Sequence, residues 1–394
     1  MDKFKIEGQE EEYIIDAVIP AHIKDVDTLD LCIQSIKEHV KGIRNVHVVS
    51  KEKLTDEAIW VPEDSFPFTL KDVANIIGAH WRTGWYYADL LEFLSAILIP
   101  DLSEHVLICD SDTIFLEPHR FVVKGPDGNG KSIFNVGFDV PCRYVMPEPF
   151  RYPDPNDPSR QFEIKWINIE MVDGGLINTN MTHFKNSEEM WQWLWAPDYN
   201  TKNPYFEYMK RIVPGLEKQT KFCAVVHHMP MQKTILKELV DKVEKEQEKP
   251  FWQFALETVL EDYDTVNNIE IKDAPGKMCG YDLYFNYAFQ FHPALVAAQP
   301  KKSILAYKGK LGVADMPNDV SHPSRSNLYG KYPILTPSEE ELLNFETPKE
   351  AIRHLADRCK ELGWSAVTFQ NHSRITPEKH RQESAEYIKS LDEK

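Results

Sequence analysis

No stretch of the sequence approaches the ~18 consecutive apolar residues that span a bilayer, so no transmembrane segment is expected. The opening residues 1–12 are acidic and contain no apolar h-region, which argues against a secretory signal. Cysteine is sparse: the six residues, Cys32, Cys109, Cys142, Cys223, Cys279 and Cys359, include no C-x-x-C pair and no zinc-type spacing. A reducing, cytoplasmic setting is the expectation. Positive charge is in deficit, with 45 Lys and Arg against 62 Asp and Glu and a formal charge of −17. Phosphate neutralisation needs clustered cations, so a nucleic-acid partner is excluded from the reading. No internal repeat is visible. What is present, 42% hydrophobic and 27% charged residues, suffices to bury a core. At about 100–200 residues per domain, a chain of 394 residues allows two or three units, or one large α/β domain with appendages.

The N-terminal third has α/β rhythm. Residues 13–20 read as a buried strand closed by Pro20, which cannot donate to a central ladder. Residues 29–40 place Leu29, Cys32, Ile33, Ile36 and Val40 on one helical face, and residues 45–50 form a second strand. This βαβ unit predicts a parallel sheet with a right-handed crossover. A helix is expected over 86–99, then an apolar strand over 104–110 running into Ser111 and Asp112. Ligands of open α/β sheets collect beyond the carboxyl ends of strands, where residues 20–24 and 110–112 both fall. Residues 145–160, dense in Pro and Asp, read as a long surface loop. Residues 171–184 read as turn then strand. Helices are expected over 187–195, 231–246, 251–260 and 280–291. In the tail, helices are expected over 337–362 and 376–392, with a strand at 365–370 between them.

Residues Gly125–Ser132 (GPDGNGKS) match the P-loop pattern G-x-x-x-x-G-K-[ST]. A true P-loop opens a helix whose N-terminus faces phosphate. Here the following residues, IFNVGFDVP, are β-branched and aromatic and end in proline, which predicts a strand. The Asp-Gly and Asn-Gly pairs are hairpin signals between residues 121–123 and 133–134. A P-loop NTPase is thus a competing reading, tied to Lys131.

The stronger pattern is HVLICDSDTIF at 105–115, with Asp110 and Asp112 at the end of a buried strand. Alternate strand residues share a side, so the two carboxylates project toward one small volume. Two anions so placed call for a cation, and hard oxygen ligands suit Mg²⁺ or Mn²⁺.

With a first strand ending in Pro20-Ala-His22 and D-x-D about 90 residues later, the chain resembles glycosyltransferases of the GT-A fold. Residues 173–178 (DGGLIN) resemble the glycine-bearing strand that follows D-x-D in such enzymes. Residues 224–229 (AVVHHM) and 280–287 (GYDLYFNY) are similar to motifs of a poorly characterised branch found in microbes and large DNA viruses. The resemblance spans roughly residues 13–310. It implies a Rossmann-like, mostly parallel sheet flanked by helices, dividing the chain into an acidic leader (1–12), a GT-A domain (13–315) and a linker with a helical C-terminal extension (316–394). It implies a metal-dependent transfer of sugar from a nucleotide-diphosphate donor, a UDP-sugar favoured, to a hydroxyl of a carbohydrate or glycoconjugate acceptor.

On that resemblance Asp110, Asp112 and His228 are candidate metal ligands, with Mn²⁺ or Mg²⁺ as the ion. Pro20, His22, Arg82, Asp110, Ser111, Asp112, Gly174 and Gly175 are candidate donor contacts. Arg82 suits a diphosphate because guanidinium matches phosphate geometry, and glycines at 174 and 175 permit close backbone approach to a sugar. His228 is preferred to His227 because strand alternation groups it with Val226 and Ala224. Asp282 lies among Tyr281, Tyr284, Phe285 and Tyr287, where desolvation would raise its pKa, and is the candidate general base of an inverting displacement. A structural Asp beside a tyrosine core is the competing reading. A fold retained as a catalytically idle carbohydrate-binding protein is the third functional alternative.

Overall fold

The computed structural model describes residues 13–78, 83–125, 130–138, 144–153, 161–167, 204–220, 222–224, 226–266, 278–300, 303–307, 334–335 and 344–370. In chain order, the first strands and helices are β1 (Ile15–Pro20), α1 (Val26–His39), β2 (Ile43–Ser50), β3 (Ile59–Pro62), α2 (Leu70–Ile77), α3 (Thr83–Leu98), β4 (His105–Cys109) and β5 (Thr113–Phe115). They are followed by β6 (Val122–Lys124), β7 (Gly130–Phe138), β8 (Tyr144–Pro153), β9 (Gln161–Ile167), α4 (Pro204–Ile212), β10 (Phe222–Cys223) and β11 (His228–Gln232). The remainder is α5 (Lys233–Gln247), α6 (Phe251–Val266), α7 (Gly280–Phe291), β12 (Val296–Pro300), β13 (Ser303–Tyr307), β14 (Ile334–Leu335), α8 (Pro348–Glu361) and β15 (Ala366–Gln370).

The fold is mixed α/β, with a mostly parallel central sheet flanked by helices. Its strand order is β11-β4-β1-β2-β3. β1 pairs in parallel with both β2 and β4, and β2 with β3, while β11 runs antiparallel to β4. Burial on both faces explains the continuous apolar runs of β1 and β4. On one face α1 packs Leu29, Cys32, Ile33 and Ile36 against Ala17, Ile19 and Leu107. On the other, α3, α5, α6 and α7 enclose the larger core around Leu90, Phe93, Tyr284 and Phe285.

The hairpin expected at the P-loop match is present. β6 and β7 pair antiparallel, Val123 opposite Lys131, and residues 126–129 lie outside the described residues. Lys131 is therefore on a strand with no helix after it, contrary to a P-loop. Ser132, fully buried, takes a hydrogen bond from Gln232 Nε2 at 3.1 Å.

The Pro-rich stretch differs from the expected loop: β8 pairs antiparallel with β9. Pro147 and Pro149 lie between Val145 and Phe150, where the register shifts, and a two-stranded ribbon has only edge strands, which tolerate proline.

The tail also takes part in the sheets. α8 opens with Pro348 and a Thr347–Glu350 capping box, and packs Ile352 and Leu355 with Leu31 of α1 and Ile114 of β5. β15 pairs antiparallel with β5 and parallel with β13, in the order β14-β13-β15-β5. The helices expected over 187–195 and 376–392, and the strand within 171–184, lie outside the described residues. No helix among the described residues is long and apolar enough to cross a membrane.

Candidate functional site

β4 carries the chain to the carboxyl edge of the central sheet, and residues 110–112 turn it from that sheet into β5. The Thr113 amide donates to the Asp110 carbonyl at 3.1 Å, closing the turn, and the Phe369 amide of β15 donates to the Asp112 carbonyl at 2.8 Å. The Cys32 and Cys109 thiols both lie 3.5 Å from the Asp110 carbonyl oxygen. The D-x-D turn is thus anchored from below by α1 and from the side by the C-terminal strand.

Four groups gather around Asp110. His227 is one of three non-glycine residues with positive φ among those described, at 66°. Strained left-handed backbone of this kind persists where surroundings over-determine it, and here two bonds do so. The Asp110 amide donates to the His227 carbonyl at 2.9 Å, and His227 Nδ1 lies 2.8 Å from Asp110 Oδ2. Tyr281, in the first turn of α7, donates its hydroxyl to Asp110 Oδ1 at 3.4 Å. Glu92 and Asp89 approach from α3.

The electrostatics of this group are one-signed. Burial, then the charges of Asp110, Asp89 and Asp112, push the Glu92 carboxyl well above the usual carboxylate range, against a hydrogen bond with Tyr281. Burial likewise lifts Asp89 to about 7, opposed by the Gly280 amide and reinforced by Asp110. Asp89 reaches Gly280 because that residue has no side chain: a Cβ there would stand 2.7 Å from Phe93 Cδ2. The helices α3 and α7 therefore meet closely enough for the Gly280 amide to lie 3.3 Å from both Asp89 oxygens.

The two histidines of the H-H-M stretch exchange the places expected of them. His228 is 2% exposed. Its ring stands edge-on to Phe115 and Phe121, at 5.3 and 5.4 Å between centroids, and Asn135 Nδ2 donates to its Nε2 at 2.9 Å. It is a core histidine. Strand alternation misplaces the pair because β11 begins only at His228, and His227 precedes it in left-handed backbone.

Asp282 is also 2% exposed, and its Oδ1 accepts the Ala224 amide at 2.9 Å. It fastens the segment leading into β11 to α7. Pro20 ends β1 at the same sheet edge, its continuation held by a 2.9 Å bond from the Ala21 amide to the Val49 carbonyl. His22 is exposed and caps a short 3₁₀ turn through its Nδ1, which accepts the Lys24 amide at 3.2 Å. Ser111 is buried within the D-x-D turn. Arg82, Gly174 and Gly175 lie outside the described residues.

Asp89, Glu92 and Tyr281 are the residues interacting with Asp110 that sequence reasoning did not single out. The available signal was a pair of carboxylates three apart in the otherwise apolar run YYADLLEFLSAIL, where i, i+3 spacing puts both on one face of a helix with almost no polar face to spare.

A divalent ion is the group that D-x-D implies. Among the described residues no cluster of three or more His, Cys, Asp and Glu side chains forms a ready-made metal shell. The donors do fit an ion of the Mg²⁺ type, which takes one or two carboxylates and completes its shell from water and phosphate. Both Asp110 oxygens are engaged by His227 and Tyr281, which makes Asp112 the principal candidate ligand and Asp110 its companion.

No family model matches the sequence, and no curated protein matches it. Solved structures similar to the chain include an active-site mutant of LgtC, at 9% identity over 94% of this chain and 95% of that one, with a TM-score of 0.31. Mouse xyloside xylosyltransferase 1, in its apo form, is similar at 10% identity over 92% and 99% of the two chains, with a TM-score of 0.30. Likeness at this level carries no argument; the residues and the topology must.

Proposed function

We propose that this protein is a metal-dependent glycosyltransferase of the GT-A kind, moving a sugar from a nucleotide-diphosphate sugar, with a UDP-sugar favoured, to a hydroxyl of a carbohydrate or glycoconjugate. The observation that supports the reading is the placing of Asp110 and Asp112 directly after β4 at the carboxyl edge of a parallel sheet, with His227 and Tyr281 on the two Asp110 oxygens. Carboxylates so placed accept an anionic diphosphate through a bridging cation.

Asp112 and Asp110 would hold that cation, Mn²⁺ or Mg²⁺, which when bound supplies positive charge to the leaving diphosphate. The protein's own contribution is orientation. His227 and Tyr281 fix the Asp110 carboxylate from two sides, and the loop after β1, with Pro20 and His22, borders the space beside D-x-D where the nucleoside would lie. Arg82, Gly174 and Gly175 keep their proposed donor contacts.

A thermal-shift screen of UDP-, GDP- and CDP-sugars with and without Mn²⁺ tests the reading, because a ligand bound by the folded state alone raises its midpoint. A UDP-sugar that raises Tm only when Mn²⁺ is present is the expected result. A flat response to every donor and metal combination would remove the proposal.

A further inference from the structure

The peptide unit that joins Asp112 to Thr113 is held at both of its polar ends. Its carbonyl accepts the Phe369 amide at 2.8 Å, and its N–H donates to the Asp110 carbonyl at 3.1 Å. A peptide unit is planar, so fixing both ends fixes the plane from which the Asp112 side chain departs. One of the two bonds belongs to the turn itself; the other comes from β15.

The pairing continues outward from that point. Thr113, Ile114 and Phe115 stand opposite Thr368, Val367 and Ala366, and the Leu116 amide donates to the Ser365 carbonyl at 2.9 Å. Where the two strands meet the turn, the Thr113 and Thr368 hydroxyls lie 2.9 Å apart, both buried and 255 residues apart in sequence. A slip of one residue would turn Thr368 to the other face of the strand and leave the Thr113 hydroxyl in the core without that partner, so the pair pins the register. β15 is itself supported from a separate core: Val367 and Phe369 pack in the cluster that α8 forms with Leu31 and Ile114, and β13 pairs along the other edge.

From this we infer that β15 is a positioning element of the ion site: its docking onto β5 presets Asp112, and cation binding and strand docking strengthen one another. The inference rests on the metal-site reading above and extends it to a segment beyond residues 13–310, where the family resemblance lies.

With β15 undocked, the Asp112 carbonyl loses the Phe369 donor and the peptide unit can turn about the Cα–C bond of Asp112. The carboxylate would then be ordered only at the expense of ion binding. Partners behind a metal ligand contribute about 10–100-fold in affinity. Linkage requires the same factor in reverse: an ion that prefers the clasped turn suppresses the opening of β15 to the same extent.

Hydrogen exchange on the unmodified full chain reads that factor, because amides of a strand that opens locally exchange at a rate set by the opening equilibrium. Exchange is followed by mass spectrometry for peptides covering residues 365–370 and for peptides of α5, in EDTA and at saturating Mn²⁺. Binding is measured on the same preparation by counting free Mn²⁺ with electron paramagnetic resonance. The β15 amides are expected to slow about 10-fold or more with Mn²⁺, and those of α5 far less. If Mn²⁺ binds and β15 exchange is unchanged, or slows only as much as α5, the clasp is overturned while the ion site stands. If the native chain binds no Mn²⁺, the functional reading falls and takes the clasp with it.

Two variants at one position separate the bond from the packing. Phe369→Ala gives up the buried ring and keeps the amide; Phe369→Pro gives up both. Both should melt lower than the native chain. Mn²⁺ affinity should be about 10-fold or more weaker in Phe369→Pro than in Phe369→Ala, a ratio that matches the slowing of β15 exchange in the native chain. Equal affinities in the two variants overturn the clasp. Should Phe369→Pro fail to fold, the exchange measurement decides alone.

Discussion

Asp89 offers the most direct measurement of how the site is charged. Its carboxyl titrates at about 7 in the folded chain against 3.8 when unperturbed, chiefly through burial and, after the opposing Gly280 amide, through the charge of Asp110. Between those values the unfolded chain releases a proton that the folded chain retains, so folding stability falls as pH rises from about 4, and the loss is complete above about 7. Three pKa units at 1.36 kcal/mol each amount to about 4 kcal/mol, a large part of the 5–15 kcal/mol that holds a typical domain folded. Asp89→Asn removes the titration yet keeps an oxygen that can accept the Gly280 amide. Urea unfolding of both proteins in EDTA, from pH 5 to 8, should show the variant gaining on the native chain steadily and exceeding it by several kcal/mol at pH 8. Comparing the two at each pH cancels the titrating groups remote from Asp89 and leaves its own titration together with its coupling to Glu92 and Asp110. Parallel curves across that range would show that Asp89 ionises normally, and would dissolve the argument that burial against α7 holds it neutral.

Two further outcomes follow from the same geometry. Gly280→Ala places a methyl 2.7 Å from Phe93 Cδ2, and because Phe93 is itself stacked on Phe251 at 5.0 Å, overpacking should lower stability by about 1–3 kcal/mol in a urea titration, with Mn²⁺ affinity falling as α7 shifts away from Asp110. Asp112→Ala should abolish the Mn²⁺-dependent thermal shift with donor while leaving the metal-free melting temperature near its native value, because on the proposed reading its side chain holds the ion; an unchanged shift would remove Asp112 from the site.

Much of the central sheet is legible in the sequence. β1, β2 and β4 are runs of apolar residues too short for helices, and the β6–β7 hairpin announces itself through Asp-Gly and Asn-Gly, which decides against the P-loop that the same eight residues spell. The prolines of β8 misled because they exclude a strand only where its neighbours demand amides on both sides, and β8 has one partner. The turn that carries Asp110 and Asp112 is legible because the apolar run of β4 stops at Asp110. Asp89 and Glu92 are not, since two acids on a helix ordinarily mark its solvated face. Their burial is decided by α7, almost two hundred residues away, and by a glycine whose only visible property is that it lacks a side chain. That His227 rather than His228 touches Asp110 escapes the sequence for a related reason: alternation is a rule within strands, and one backbone angle places His227 outside it.

Asp282 has two readings that a pair of variants separates, a general base and a structural carboxylate. A general base must come within about 2.6–3.2 Å of the proton it removes, and Asp282 is 2% exposed, with Oδ1 on the Ala224 amide and its carbonyl accepting Asn286 Nδ2 at 2.8 Å. It also lies in the first turn of α7, where a negative charge is favoured by the helix dipole. The Ala224 contact is one that a structural carboxylate makes, and the Asn286 bond goes to the backbone carbonyl. Asp282→Ala leaves the buried Ala224 amide without that acceptor, so stability should fall by about 1–3 kcal/mol. Asp282→Asn keeps an acceptor oxygen and should lose less. In both, turnover per folded molecule should stay within a few-fold of the native chain, with melting and kinetics measured on one preparation. A loss of about 10²–10⁴-fold in Asp282→Asn at unchanged Tm, the range for a positioned base, would return the residue to the chemistry. It would then require a route from acceptor to carboxylate that opens on donor binding, and NMR of the product would have to show inversion at the anomeric carbon, because a retained configuration is incompatible with a single displacement assisted by any base.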